Sequence, residues 1–176
     1  KVTAAIESVK LQRLASPDPM AKRMAETPHQ FREMRHPTMH TIVMPVVSSE
    51  KRNFLTADLQ DNQTVFSNAV FTMYDAELWN FSIAVSKIHC IWIAIICGKL
   101  ETRIRYSNVM GWNTFPMPSL TQQNKADLTR CAEDILLARE SHFPKTIADL
   151  YSPQDMPENL RAAHEANDEV LERIYI

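Results

Sequence analysis

With 176 residues, 45% of them apolar and 23% charged, the chain has the composition of an ordinary globular protein long enough to bury a sizeable core. Its only glycines, Gly98 and Gly111, lie in neither G-x-G-x-x-G nor G-x-x-x-x-G-K, which argues against nucleotide binding by a glycine-rich phosphate cradle. The net charge of −2 conceals an asymmetry: residues 1–110 carry 13 Lys and Arg against 10 Asp and Glu, and residues 111–176 carry 6 against 11. A polyanionic partner is therefore expected to meet the first part of the chain.

Cys90, Cys97 and Cys131 are odd in number and two lie in an apolar run, which reads as reduced, buried thiols of a cytosolic protein. The start at Lys1 rather than methionine reads as a piece cut from a longer chain. No signal peptide is expected from the charged, amphipathic beginning. The one membrane candidate, Leu78 to Gly98, carries Lys87 and His89 at its middle; a central Lys costs roughly 2.5–3.5 kcal/mol on insertion scales, so a buried helix is expected instead.

In chain order, Val2 to Leu14 has helical spacing and is stopped by Ser16-Pro17-Asp18-Pro19. Met20 to Met39 reads as a connector with basic side chains at Lys22, Arg23, Arg32 and Arg35. Thr41 to Val47 is β-branched and predicts a strand, with Pro45 at an edge or end. The polar turn Ser48-Ser-Glu-Lys-Arg-Asn53 follows, and Ser48, Ser49, Lys51 and Arg52 are candidates for gripping phosphate oxygens. Phe54 to Leu59 and Val65 to Tyr74 predict further strands, the second interrupted at Ser67-Asn68-Ala69, where Asn68 reads as a bulge residue or as an adenine reader.

From Ala76 to Cys97 the apolar spacing predicts one long core helix, capped by Gly98 in the left-handed conformation. It delivers CGKLETRIRY (97–106), the stretch with the most chemical content. If that stretch is extended, Glu101, Arg103 and Arg105 share one face. A carboxylate that accepts from cytosine N4 and guanidiniums that donate to guanine O6 and N7 are what major-groove base reading requires. A solvated strand edge guarded by charges gives the same pattern.

Beyond Ser119, which with Gln122 resembles a capping box, the chain turns to acidic helix. Leu128, Cys131, Ala132, Ile135 and Leu136 form one stripe; Leu160, Ala163, Val170, Leu171 and Ile174 form another. Pro157 is suited to a first helical turn. Asn167 to Glu172 reads as a solvated acidic face.

The six histidines do not make a zinc site: Pro37 separates His36 from His40, and no further ligand has suitable spacing. His89 reads as a buried core residue. Asn113-Thr-Phe-Pro116 has the asparagine and aromatic of an amino-methyltransferase motif but not its prolines. Catalysis within this chain is not expected.

Several blocks in order, PVVSSEKRNF (45–54), SNAVFTMYDAELWNF (67–81), SKIHCIWIAIICGKLETRIRYS (86–107), WNTFPMP (112–118), ADLYSPQDMP (148–157) and LRAAHEAND (160–168), resemble the C-terminal part of the MmeI-like enzymes. These are single-chain type II restriction-modification proteins that join an endonuclease to an adenine-N6 methyltransferase. The resemblance implies an α+β fold, with a mixed target recognition domain over residues 1–118 and a helical C-terminal domain over 119–176. It implies duplex DNA as partner, upstream methyltransferase and nuclease domains, and S-adenosylmethionine and Mg²⁺ as requirements of the parent enzyme only. Carried over, base reading falls on Val46, on Asn68 and Ala69, and on Glu101, Arg103 and Arg105, where Glu-x-Arg resembles the version that reads a C·G pair. Val46 stands where some relatives have a polar reader. The expectation is a prokaryotic cytoplasmic DNA-recognition module. A protein-interaction module without DNA specificity is the alternative, separable by competition with random duplex oligonucleotides.

Overall fold

The structure, a computed structural model, describes residues 1–32 and 35–176; positions 33 and 34 of the predicted connector lie outside them. The chain divides into two compact units, residues 1–36 and 37–176.

In the first unit, helix α1 (Val2–Ala15) ends at Ser16, as the proline cluster predicts. Asp18 then caps a short helix α2 (Pro19–Arg23), its side chain accepting from the Met20 amide with Pro19 in the first turn. A 3₁₀ turn, Met24–Glu26, follows, so this part of the connector is helical. Arg13 holds it in place by donating to the carbonyls of Met24, Thr27 and Gln30 at 2.8–3.0 Å.

The second unit is α+β. Strand β1 (His40–Pro45) is central in an antiparallel sheet, flanked by β3 (Asp58–Asp61) and β4 (Val70–Tyr74). Strand β2 (Val47–Ser48) belongs to a second antiparallel sheet of order β2-β6-β5, with β5 Gly98–Leu100 and β6 Arg103–Arg105. The predicted strand 41–47 is thus two strands in two sheets. Pro45 ends the first, where its missing N–H does no harm. The strands predicted at 54–59 and 65–74 form only at 58–61 and 70–74. Phe54, Leu55 and Ala57 are buried as irregular chain, so packing overrides their strand propensity.

The predicted single helix 76–97 is broken. Helix α3 (Trp79–Ala84) stops at Val85, and Ser86 caps α4 (Lys87–Ile96) by accepting from the His89 amide at 3.2 Å. A serine hydroxyl in the middle of an apolar run competes for backbone donors and starts a new helix. Gly98 caps nothing: α4 ends at Cys97 with φ −80, and Gly98 opens β5.

Helices α5 (Gln122–Glu140), α6 (Ile147–Leu150) and α7 (Glu158–Tyr175) complete the unit. Thr121, not Ser119, caps α5; Thr146 and Asp149 form the capping box, on α6; and Pro157 occupies the N-cap position of α7. These helices share one apolar core with the sheets, in which Ala132, Ile135, Leu150 and Leu160 pack with Ile42, Phe54 and Phe81. Two buried polar clusters tie them down. Arg139 donates to the Ala57 carbonyl at 2.7 Å and to the Tyr151 hydroxyl, which lies 2.7 Å from His164 Nε2. Asn167 donates to the Ser82 carbonyl at 3.0 Å and is fully buried, so it is not part of a solvated acidic face. Among the described residues no helix is long and apolar enough to cross a membrane.

Candidate functional site

Val46 is where the two sheets meet. The chain leaves β1 after Pro45, paired with Val70, and enters β2 at Val47, paired with Arg105. Between them the Val46 amide donates to the Ala69 carbonyl at 2.9 Å, and its carbonyl accepts from the Tyr106 amide at 2.8 Å. Three segments far apart in sequence, around 46, 68–69 and 103–106, are therefore adjacent through main-chain hydrogen bonds. Asn68 and Ala69 are exposed and Val46 is half-buried. They sit in a turn before β4 rather than a bulge, closed by the Ala69 amide donating to Ser67 Oγ at 3.3 Å.

Strands β5 and β6 form a hairpin pairing Gly98 with Arg105 and Leu100 with Arg103. Opposed residues of an antiparallel pair share a face, as do residues two apart. Arg103, Arg105, Leu100 and Val47 thus lie on one side of the sheet, with both arginines exposed. The other side carries Ile104, half-buried, and Ser48, 4% exposed.

The predicted alternation fails at its first member. Glu101 is in the two-residue turn, at φ 59, not in a strand. Its carboxylate nevertheless returns to the arginine side: Arg103 Nη2 donates to Glu101 Oε2 at 2.8 Å. The turn also meets Glu50. A hydrogen bond from its own backbone amide holds that carboxyl below the usual range, with help from the Thr102 hydroxyl and the charges of Lys51 and Arg103.

The phosphate candidates divide. Ser48 is buried and presents no hydroxyl at the surface, because the pairing of β2 with β6 turns it inward. Ser49 Oγ accepts from the Lys51 amide at 3.3 Å, which shapes the turn and leaves Lys51 exposed. Arg52 is half-buried, with Nη1 at 3.4 Å from Thr56 Oγ1. Behind the hairpin, Phe115 is buried edge-on to His89 and Trp92, so it has no face free to stack on an extruded base. Burial pushes the His89 imidazole down to about 4 and keeps it neutral, with Nδ1 at 2.9 Å from the Ala84 carbonyl.

Residues 1–119 match the family described as MmeI, target recognition domain, and residues 120–176 match that described as MmeI, C-terminal domain. The chain belongs to the MmeI family. It is 37% identical over 166 residues to DNA methyltransferase A of Bacillus subtilis (strain 168), a match covering 94% of this chain and 19% of that protein. The solved structure of the type IIL restriction-modification enzyme MmeI in complex with DNA is similar with a TM-score of 0.93 at 32% identity, covering 99% of this chain and 23% of that one. The chain thus spans about a fifth of the length of the relatives it matches.

Sequence reasoning missed two residues beside the MmeI-type hairpin, Val47 and Glu50. Val47 reaches the arginine side only because the chain changes sheets at Val46. The hairpin itself was hidden because its turn, Glu101-Thr102, contains none of the Asn, Asp or Gly that signal such turns.

Proposed function

We propose that this chain is the sequence-reading part of a fused restriction-modification enzyme: it holds duplex DNA and chooses the site that the rest of the parent polypeptide methylates at adenine N6 and cuts. The adjacency of Val46, Asn68-Ala69 and the hairpin that carries the exposed Arg103 and Arg105, joined by the two Val46 hydrogen bonds, carries this reading. The relatives' description as a DNA methyltransferase and a DNA-bound restriction-modification enzyme supports it.

Each reader has chemistry suited to a base edge. Arg103 and Arg105 present guanidinium donors in the fork that matches guanine O6 and N7. Glu101 presents an acceptor for a cytosine N4 amine. Asn68 offers the donor and acceptor pair that suits adenine, while Val46 and Ala69 offer only van der Waals contact. Lys51 and Arg52 add phosphate attraction that is independent of sequence. In this reading the methyl donor S-adenosylmethionine and Mg²⁺ serve the parent's remaining portion. The setting is the prokaryotic cytoplasm, where the DNA is.

The test uses the full-length parent enzyme carrying Arg105→Ala, with methylated adenines located by sequencing. Relaxation of the motif at one base pair, by roughly 1–3 kcal/mol of discrimination, is expected. A motif identical to the wild type's would overturn the reading.

A further inference from the structure

We infer that the π-helical turn Asn108–Trp112, immediately after β6, is a second reading element in which Val109 takes the methyl group of a thymine beside the base pairs met by Arg103 and Arg105. This rests on the reading of the chain as a DNA-recognition module.

The turn is tied to the hairpin without slack. Tyr106, buried, donates its amide to Val46, and Ser107 Oγ accepts from the Met110 amide at 3.4 Å. The Asn113 amide closes the turn on the Asn108 carbonyl at 2.9 Å, and the Thr114 hydroxyl donates to the Met110 carbonyl. Gly111 sits so close that an added methyl would come within 3.1 Å of both Cys97 Sγ and the Tyr106 ring and 3.2 Å of Ile93. Cys97 is the residue before β5, so the same packing that holds the turn also holds the root of the hairpin.

This well-anchored turn leaves apolar side chains outside: Val109 is 63% exposed and Met110 48%. A rigid segment that keeps a valine in water, four residues after the exposed Arg105 and six after the exposed Arg103, has the make-up of a groove contact. The cations suit phosphates and purine acceptors, and the thymine C5-methyl is the apolar group that base pairs present in the major groove. π-helical turns are rare and are frequently found at functional sites.

The experiment takes the recognised sequence from methylated-site sequencing of the full-length parent enzyme. It then measures binding to duplexes in which each thymine in turn is replaced by deoxyuridine, which removes only the methyl group. One position is expected to weaken wild-type binding about fourfold, the value of one buried methyl group. Val109→Ala, at an exposed site and with an unchanged melting temperature, is expected to bind the thymine and deoxyuridine forms of that position equally. Indifference of the wild type at every thymine, or an equal response of wild type and Val109→Ala, would overturn the inference. Arg105→Ala, run alongside, separates the failures: if it leaves the motif unaltered the DNA-recognition reading itself falls, whereas an Arg105 effect without Val109–thymine coupling sinks only the role of the turn.

Discussion

Arg103 donates from Nη2 to Glu101 Oε2 at 2.8 Å across the tip of the hairpin, so this acceptor and this donor orient each other. A pair this exposed contributes at most about 1 kcal/mol. Exchanging the two charges, with Glu101→Lys and Arg103→Asp together, keeps an ion pair at the same place while inverting donor and acceptor. The double variant of the full-length enzyme is expected to move its preference from C·G to G·C at one position, a change of about 1–3 kcal/mol. Sequencing of methylated sites reads the outcome directly, and an unchanged base at every position removes these residues from the readout.

Glu101 also occupies the left-handed region at φ 59, where a residue with a Cβ is disfavoured by roughly 1–2 kcal/mol and glycine is not. Strain of this kind is tolerated where a side chain is needed for function. Glu101→Gly is therefore expected to raise the melting temperature slightly and to weaken discrimination at the base pair that Glu101 meets. A fall in thermal stability would show that the carboxylate, rather than the backbone, dominates the energetics of this turn.

The core and the site differ in how far the residues alone reveal them. The helical tail follows from apolar spacing, because burying one stripe requires that spacing, whereas helix α1 forms without burying any residue. Ser86 divides the apolar run 79–96 through a single hydroxyl, which no periodicity registers. The pairing of Val46 with both Ala69 and Tyr106 is a matter of tertiary register. Arg103 and Arg105 were legible as a same-side pair because i and i+2 share a face of any strand, whereas Glu101 reached them by a turn that lacks the usual turn residues. The inward turn of Ser48 was not legible, because a serine at a strand end looks the same from either side of the sheet.

The two glycines separate packing from conformation. At Gly111 a methyl group would press on Cys97, Tyr106 and Ile93 at 3.1–3.2 Å, so Gly111→Ala is expected to destabilise by about 1–3 kcal/mol through overpacking. At Gly98 a methyl group meets nothing within 4 Å and φ is not positive, so Gly98→Ala is expected to be neutral or to stabilise by up to about 1 kcal/mol. Urea unfolding of the two variants checks the contrast. Equal losses would mean that the space around the hairpin root is not as the contacts indicate.

Salt dependence separates the turn residues. Lys51→Ala in the full-length enzyme is expected to lower the slope of log affinity against log salt by about 1, because one fewer counterion is released. Ser48→Ala, at a buried site, is expected to leave that slope unchanged. A Ser48→Ala effect on the slope equal to that of Lys51→Ala would mean that β2 opens to expose its serine on DNA.

Two buried histidines set the response to acid. Burial pushes His89 down to about 4; it pushes His164 down to about 3, with a smaller contribution from the Arg139 charge. His89 is walled by the rings of Tyr106, Trp112 and Phe115, and His164 by Phe54 and Tyr151. Released by unfolding, both return to about 6.5, so between that value and their folded values the unfolded chain binds more protons. Stability is therefore full above about pH 6.5 and declines as the pH falls, by up to about 1.4 kcal/mol per pH unit for each histidine. Asp75 acts lower: amide donors from Thr38 and Met39 hold its carboxyl at about 2, so its contribution is present above about pH 4 and is lost as the pH approaches 2. Urea midpoints measured from pH 7.5 to 4.5 are expected to hold down to about pH 6.5 and to fall below it, and His89→Gln or His164→Gln to reduce the slope of the fall by about half. A midpoint independent of pH over that interval would mean that the imidazoles are accessible to protons in the folded chain.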